Sequence, residues 1–412
     1  MTTQASTSQT PDRTDCCIVG AGPAGAVLAL LLARQGIGVT VLESHQHFDR
    51  AFRGDSLHPS ALELFDDLGL ADELLRLPHT RIERFTLSGP ALGAPLLLAD
   101  LRRLPSKFPY IMMLDQARFI AWVLDVAQRS GAVQVVMGAR VDGLIEEGGA
   151  ICGVRYGGED SQRELRATLT VGADGRFSRT RRLAGLELSA IGAPIDVLWF
   201  RLPRRADDQQ PLAATVRLGA GGVAVLFDRG TYWQVGYVIA KGSYQQFRRD
   251  GLDTFQRHFA ALVPELADRV GGLDSWQQLT LLTIEAGRLR RWHRDGLLLI
   301  GDAAHVMSPL GGVGINCAIH DAAAAAALAR PLAAGALRRE DLALVQRRRE
   351  RQTSITQTIQ ALLHHFLLPS RPTAGRAGWL RAAGWLRKFP LVSDTMARVV
   401  ALGTPWPRAY RH

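Results

Sequence analysis

The chain has little of what marks several broad protein classes. Only four cysteines occur in 412 residues (Cys16, Cys17, Cys152 and Cys317), and none forms a CxxC pair. A disulfide framework or a zinc site is therefore not expected, and the thiols read as reduced in a cytoplasmic protein. Cys16 and Cys17 are adjacent, so in a strand they point to opposite faces. Long apolar runs are also lacking. A membrane-spanning helix needs about 20 mostly apolar residues. Ala24–Ala33 is too short for that, and the alanine run from Ala322 is broken by Arg330. Residues 1–14 have no apolar core, which excludes a secretory signal and reads as a disordered tail. An excess of one charge is missing from most of the chain. The net charge is +10, but residues 338–411 hold 14 Lys/Arg against 4 Asp/Glu, and the remainder is balanced. A neutral body with a basic terminal segment does not suggest a nucleic-acid partner.

What is present is a sizeable apolar core. Hydrophobic residues make up 47% and charged residues 21%, and the length suits two or three domains. Asp15–Gly20 is a short apolar run that reads as a buried strand. It enters Gly20-Ala21-Gly22-Pro23-Ala24-Gly25, a GxGxxG, and an apolar helix follows with Val27, Leu28, Leu31 and Leu32 at helical spacing. Pro23 suits the helix start and Gly36 its end. A second strand, Gly38–Leu42, closes at Glu43, 23 residues after Gly20. Alone the motif is weak, but strand, helix and acidic residue together make a dinucleotide site. Gly20 makes a tight turn, Gly22 admits a pyrophosphate, and Gly25 lets helix and strand pack closely. The helix start supplies positive potential, and Glu43 accepts from ribose hydroxyls. The motif does not separate FAD from NAD.

A second cluster spans 295–320, DGLLLIGDAAHVMSPLGGVGINCAIH. Leu297–Ile300 reads as a strand ending in Gly301-Asp302. A loop with Pro309, Gly311, Gly312 and Gly314 follows, and a helix begins near Asn316. A carboxylate at a strand's C-terminal end lies where α/β sheets bind ligands. The bare loop lets backbone amides lie against a flat ligand, and the helix start carries partial positive charge.

With these residues in view, the sequence resembles the class A flavoprotein monooxygenases, the group that includes para-hydroxybenzoate hydroxylase. Three motifs carry the resemblance, in the family's order. They are the GxGxxG with Glu43, the Asp-Gly motif Gly172-Ala173-Asp174-Gly175-Arg176-Phe177-Ser178-Arg179-Thr180-Arg181, and the Gly-Asp motif Gly301-Asp302-Ala303-Ala304-His305 with Pro309 and its glycine loop. The departures are mild. Val313 and Ile315 stand where relatives often have Gln and Met, and Asp55 stands where para-hydroxybenzoate hydroxylase has glycine.

The resemblance implies an α/β fold: a Rossmann-like FAD-binding domain with an inserted β-sheet substrate domain and a helical C-terminal segment. The flavin domain would take residues 15–75, 101–188 and 288–335. The substrate domain would take 76–100 and 189–287, and the helical segment 336–412. The implied FAD contacts are Gly20, Gly22, Pro23, Ala24, Gly25, Glu43 and its neighbour Ser44 at the adenosine end, with Arg53 near the pyrophosphate. Gln116 matches another FAD contact, and Val141 falls at a usual backbone contact to adenine. Asp174 and Gly175 belong to a motif tied to both FAD and NAD(P)H. Gly301 and Asp302 would meet the ribityl chain. Pro309, Gly312, Val313, Gly314, Ile315 and Asn316 would meet the isoalloxazine.

The implied activity is hydroxylation of an aromatic or polyketide-like small molecule through a flavin C4a-hydroperoxide. NADPH or NADH would donate electrons and O2 would be co-substrate. A reductase or dehydrogenase of the same fold, or a non-catalytic flavoprotein binder, stays open as an alternative. A flavin halogenase is disfavoured, because no Trp-x-Trp-x-Ile-Pro string occurs. No catalytic base can be named from the sequence. Strands expected at Pro194–Arg201, Ala213–Leu218, Gly222–Phe227 and Tyr232–Ile239 offer Tyr232 and Trp233, on opposite faces, and Tyr237. Tyr110 and Met112 are further substrate candidates. For all of these aromatic and apolar residues, core packing is the favoured reading. His58 and His305 invite a proton-transfer role, and Cys317 a flavin tether, but structural roles are the simpler expectation. Gln116–Ser130 reads as a helix, and Val133–Gly138 and Ile151–Tyr156 as strands. Near the C-terminus, Trp379, Leu380, Trp385 and Leu386 interleave with Arg381, Arg387 and Lys388. Such a segment suits a membrane surface, or a helix packed on the flavin domain with a solvated basic face; the second is the expectation. Oligomeric state leaves no trace.

Overall fold

The computed structural model describes residues 12–48, 55–158, 161–208, 213–219 and 222–367. Arg53, most of the N-terminal tail, and the Trp/Arg segment beyond Leu367 lie outside the described residues.

An eight-stranded sheet organises the flavin half. Its spine runs His293–Arg294, Leu297–Leu299, Ser161–Gly172, Arg13–Val19, Val39–Glu43, Val133–Met137. From Leu297–Leu299 to Val133–Met137 all neighbours are parallel. Parallel strands need crossovers, and helices on the faces bury them on both sides. That is why these strands read as continuous apolar runs. Cys16 faces one core cluster and Cys17 the other, both at 0% exposure. The helix Pro23–Ala33 is buried over nearly its whole length between this sheet and its helical neighbours Gln116–Gln128 and Gly314–Ala325.

Ser161–Gly172 was not legible as a strand, yet it lies at the centre of the sheet. Its first half alternates with exposed Arg163, Glu164 and Arg166, which masks the buried end from Leu169 to Gly172. Through that first half it joins an antiparallel meander with Ala150–Gly158 and Arg140–Glu147.

A second, seven-stranded sheet forms from Arg84–Ser88, Leu96–Asp100 and the strands between Ile195 and Leu282. The four strands expected there occur at Ile195–Pro203, Ala213–Gly219, Gly222–Asp228 and Tyr232–Ala240. The region is less purely β than its sequence suggests. Helices Tyr244–Asp250, Leu252–Leu262 and Ala267–Val270 intervene, and Phe255 and Phe259 pack on one face of the sheet. The apolar spacing Phe255, Phe259, Leu262 is helical, with period about 3.6. A short sheet of Ser56–Leu57, Ile111–Leu114 and His79–Ile82 lies between the two halves.

The long helix Arg339–Leu367 packs back on Gly314–Ala325. The helical stretch Leu310–Ala333 is long and apolar enough to cross a membrane. Its apolar window is 78% buried within the fold, the position of a core helix.

Candidate flavin site

The register of the parallel sheet brings the three motifs together. Val19 pairs with Gly172 and with Leu42, and Gly172 pairs with Leu299. These strands run the same way, so Gly20, Glu43, Asp174 and Gly301-Asp302 emerge from one edge. Backbone hydrogen bonds stitch that edge: Gly20 N to Leu42 O (2.8 Å), Ala173 N to Val19 O (2.8 Å) and Ile300 N to Gly172 O (3.0 Å). The carboxyl edge of a parallel sheet is where such folds bind ligands.

The three glycines of the first motif divide by what surrounds them. Gly20 has φ +102°, and a Cβ there would lie 2.6 Å from Ala173 O. At Gly25 a Cβ would lie 2.0 Å from Gly20 O. Both positions are closed to side chains by the protein itself. Gly22 is different. It has ordinary φ of −66°, and the nearest atom to a Cβ would be Ala173 O at 3.9 Å. Space therefore lies over Gly22 at the start of an eleven-residue helix with no side-chain cap and no acid in its first turn. The first N–H groups of a helix lack intrahelical acceptors and carry partial positive charge, so this cradle fits the pyrophosphate of FAD.

Glu43 is 2% exposed. Its Oε2 accepts from Ala21 N (2.9 Å) and so braces the glycine turn. Its Oε1 accepts from His45 N (3.0 Å) and from the Ser44 hydroxyl (3.3 Å), with His45 Nδ1 at 2.7 Å. These four contacts match the roughly four lone-pair sites of a carboxylate, so a ribose hydroxyl would have to replace one of the Ser44 or His45 side-chain contacts. Val141 is 4% exposed in the strand beside this corner, where Ala139 N donates to Glu43 O.

Asp174 is engaged by its own loop. Its carboxylate accepts from Ser178 Oγ (2.5 Å), Thr180 N (2.8 Å) and Thr180 Oγ1 (3.0 Å). It thereby ties down the helix Arg179–Leu183. Gly175 makes the turn with φ +80°. Arg181, 8% exposed, joins the second motif to the third: Nη2 donates to Arg176 O and Nη1 to Ala303 O, both at 3.0 Å. The sequence offered no reason to prefer Arg181 over its neighbouring arginines.

In the third motif, Gly301 has φ +60°, and a Cβ there would press on Ala24 (3.2 Å) and Ala318 (3.4 Å). The absence of a side chain lets the two helix starts approach the same turn, next to Asp302. The second helix begins at Gly314, two residues earlier than expected, after a turn from Leu310 that follows Pro309; it has no side-chain cap and no acid in its first turn. Val313 is half-buried and Ile315 is 6% exposed. Asn316 uses its side chain within the protein. Nδ2 donates to Ser56 O (2.9 Å) and Gly312 O (3.1 Å), and Oδ1 accepts from His58 N (2.8 Å). Ser56 Oγ also donates to Gly312 O (3.0 Å), and a Cβ on Gly312 would strike it. The glycine loop is thus fastened to the Ser56–His58 segment, with His58 buried at 3%. Gln116 opens the nearby helix capped by Asp115.

His305 is 1% exposed with Nε2 on Asp321 (2.5 Å), so it braces the fold rather than facing a ligand. Cys317 is buried, and burial pushes its thiol up to about 12, which suits packing and not a covalent tether.

Of the substrate candidates, Tyr110, Met112 and Trp233 are packed in cores. Tyr110 and Met112 are 7% and 0% exposed in the flavin-domain core, and Arg81 lies over the Tyr110 ring at 4.3 Å. The strand alternates, so Ile111 and Met113 face the other way and pack with Phe227 and Ala214 of the second sheet. Trp233 lies on the helix-covered face of that sheet, 8% exposed, with Nε1 donating to Asp208 (2.9 Å). Tyr237 packs there too, on Phe255 and Phe259. Tyr232 points to the opposite face, under Arg201 at 4.7 Å.

That opposite face carries what the sequence did not single out. Trp199 stacks on Phe227 at 6.1 Å, and its buried Nε1 has no hydrogen-bond partner among the described residues. Gly236 leaves room beneath the Trp199 ring, since a Cβ there would sit 3.1 Å from it. Arg229 Nη1 bridges Asp55 (2.9 Å) and Gln234 Oε1 (3.2 Å). Asp55 directly precedes Ser56, the residue fastened to the glycine loop. Burial raises the Asp55 pKa, and Arg229 pulls it back only in part. A half-buried carboxylate held by an arginine in this way can exchange a proton with a phenol brought against it.

Comparison with known proteins accords with this geometry. The family described as FAD binding domain matches residues 13–360. The chain is 38% identical over 396 residues to 6-methylpretetramide 4-monooxygenase of Streptomyces rimosus, covering 94% of this chain and 92% of that one. It is 27% identical over 313 residues to rifampicin monooxygenase of Streptomyces venezuelae, covering 75% of this chain and 62% of that longer protein. Its fold is that of the p-nitrophenol 4-monooxygenase crystal structure from Pseudomonas putida, with TM-score 0.78 and 20% identity over 95% of this chain and 97% of that one.

Proposed function

The chain belongs to the FAD binding domain family of flavin-dependent monooxygenases, and from that premise we propose that it hydroxylates a phenolic, polyketide-like aromatic compound. The overall change is balanced as substrate C–H plus O2, NAD(P)H and a proton giving substrate C–OH, water and NAD(P)+. Bound FAD supplies the redox chemistry, taking electrons from NADPH or NADH and activating O2 once reduced.

The chain's own residues do the rest. The helix start at Pro23 holds the pyrophosphate, Glu43 receives the ribose hydroxyls, and Asp302 the ribityl chain. The helix start at Gly314 stabilises negative charge at the pyrimidine edge through its backbone N–H groups. Val313 and Ile315 help to exclude water there. Trp199, Phe227 and Met113 form an apolar wall for a planar substrate. Asp55, set by Arg229, accepts the proton of a substrate hydroxyl and so makes the ring more electron-rich.

The observation that carries the reading is the convergence of three loops, some 280 residues apart in sequence, on one sheet edge with an open cradle at Gly22. The near full-length similarity to a 6-methylpretetramide 4-monooxygenase supports the substrate class. Oxygen uptake during NADPH or NADH oxidation tests it. A hydroxylase consumes O2 in step with hydroxylated product and accelerates when a phenolic polyketide binds. Turnover that continues unchanged without oxygen would mean a reductase, and no turnover with any phenol would mean a binder.

A further inference from the structure

The long helix Arg339–Leu367 buries a stripe of polar side chains. Gln346, Arg349, Thr353, Gln357, Gln360 and His364 recur every three or four residues and are 8%, 3%, 0%, 2%, 4% and 1% exposed. Leu342 and Val345 dock the start of the helix by apolar contact. Beyond them the helix turns amides and charge inward, which costs stability unless every group is paired.

Their partners lie along the route to the flavin loop. Gln357 Nε2 donates to Gly287 O (3.0 Å) and Val306 O (3.1 Å). Gln360 holds the next stretch at three points: Oε1 accepts from Ser308 N (3.2 Å), and Nε2 donates to Ser308 O (2.9 Å) and Leu310 O (2.8 Å). His364 Nε2 meets Ser308 Oγ at 2.8 Å, and that hydroxyl also accepts from Leu310 N (3.2 Å). Four residues further on, Gly314 opens the helix that would face the flavin. Arg349 works one step back. Its Nε donates to Asp321 Oδ1 (2.8 Å), and Asp321 Oδ2 accepts from Gly301 N (3.0 Å) beside Asp302. The segment Met307–Leu310 has no ladder of its own, so its backbone position is written by side chains from 50 residues downstream.

We propose that Gln360, and Arg349 through Asp321, are positioning residues that set the geometry of the FAD-facing loop, so that FAD affinity depends on how this helix is seated. The proposal rests on the FAD reading above. Gln346 provides the internal control. It lies on the same stripe but pairs with Trp292 N (3.0 Å) and Arg290 O (2.9 Å), in the 290–292 turn and not in the 307–314 loop.

The experiment compares Gln360→Leu with Gln346→Leu in the full chain, following FAD uptake by the apoprotein through flavin fluorescence quenching and the flavin absorption spectrum, alongside thermal unfolding. Both variants should lower the apoprotein's Tm. Only Gln360→Leu should weaken FAD binding by about tenfold or more, as expected when several buried polar groups of the loop lose partners. It should also shift the bound flavin's spectrum. Should Gln360→Leu not fold, the milder Ser308→Ala decides, with weakened FAD binding in a stably folded protein as the supporting result and unchanged binding as the refuting one. Equal FAD affinity in the two glutamine variants would overturn this inference alone. A wild-type protein that takes up no FAD would overturn it together with the proposed function.

Discussion

The sharpest expectation concerns Gly22. A methyl added there meets nothing nearer than Ala173 O at 3.9 Å, and the backbone already has φ −66° and ψ −179°. Gly22→Ala therefore has no steric cost to folding. Restricting the unfolded chain stabilises by about 0.4–1 kcal/mol, and loss of a good N-cap opposes it by a similar amount. The apoprotein's Tm should move by no more than a few degrees. The methyl would occupy the space of the phosphate. Losing one or two charge-assisted N–H contacts at about 1.5–3 kcal/mol each weakens FAD binding by roughly tenfold to ten-thousandfold. The assay is a pair of measurements on the apoproteins: unfolding followed by circular dichroism, and FAD titration followed by fluorescence quenching. Gly25→Ala is the contrast, because its methyl would sit 2.0 Å from Gly20 O and the fold itself must yield. Wild-type FAD affinity in Gly22→Ala would show that the pyrophosphate does not cross this glycine, and the argument from open space would fail.

Three further outcomes follow from the same geometry. Asp55→Asn removes the proposed proton acceptor but keeps the shape, so turnover should fall by roughly 10²–10⁴-fold and recover at pH above the substrate's own hydroxyl pKa. The wild-type rate should rise with pH through a value above that of an ordinary aspartate, since burial raises Asp55; a flat profile in both proteins would remove Asp55 from the chemistry. Acid should destabilise the fold in two steps that share a sign. Burial keeps His320 neutral down to about 3, so the unfolded chain alone gains its proton below the usual value near 6.5. Burial opposes ionisation of Asp321, but His305 and Arg349 outweigh it and hold the carboxyl down to about 2, so its contribution is complete above pH 3.8 and is lost as pH falls towards 2. Denaturant midpoints measured from pH 7 to 3 should fall steadily, and midpoints that stay constant would contradict both assignments. Finally, Trp199→Leu should weaken substrate binding with little change in FAD affinity, whereas Trp233→Leu should lower stability, because its N–H pairs with Asp208 inside the helix-covered core. Equal effects of the two on substrate affinity would erase the distinction between the faces of the sheet.

What the residues declared in advance was local. Gly20, Gly22 and Gly25 each need a backbone property that a short window reveals, and Glu43 closes a strand whose apolar pattern is plain. The glycine loop at Pro309–Gly314 is legible for the same reason. Period-2 alternation also said that Tyr232 and Trp233 diverge and that one-residue steps matter. It does not say which face meets a ligand, so Met112 cannot be told from Met113, or Trp233 from Trp199, until the packing of both faces is known. The Asp55–Arg229 bridge joins residues 174 apart, and neither belongs to a described motif partner of the other. The polar stripe of the last helix gave no signal, because a buried glutamine and a solvated one look alike in sequence until their acceptors are known.

The chain by itself determined that a nucleotide-binding β-α-β unit opens it and that two further flavin-type loops follow, because turns and helix starts depend on neighbours only a few residues away. Tertiary structure alone decided how each carboxylate is engaged: Asp174 by its own loop, Asp321 by His305 and Arg349, and Asp55 by Arg229. Burial and pairing settle that difference, and both are properties of partners brought together across hundreds of residues.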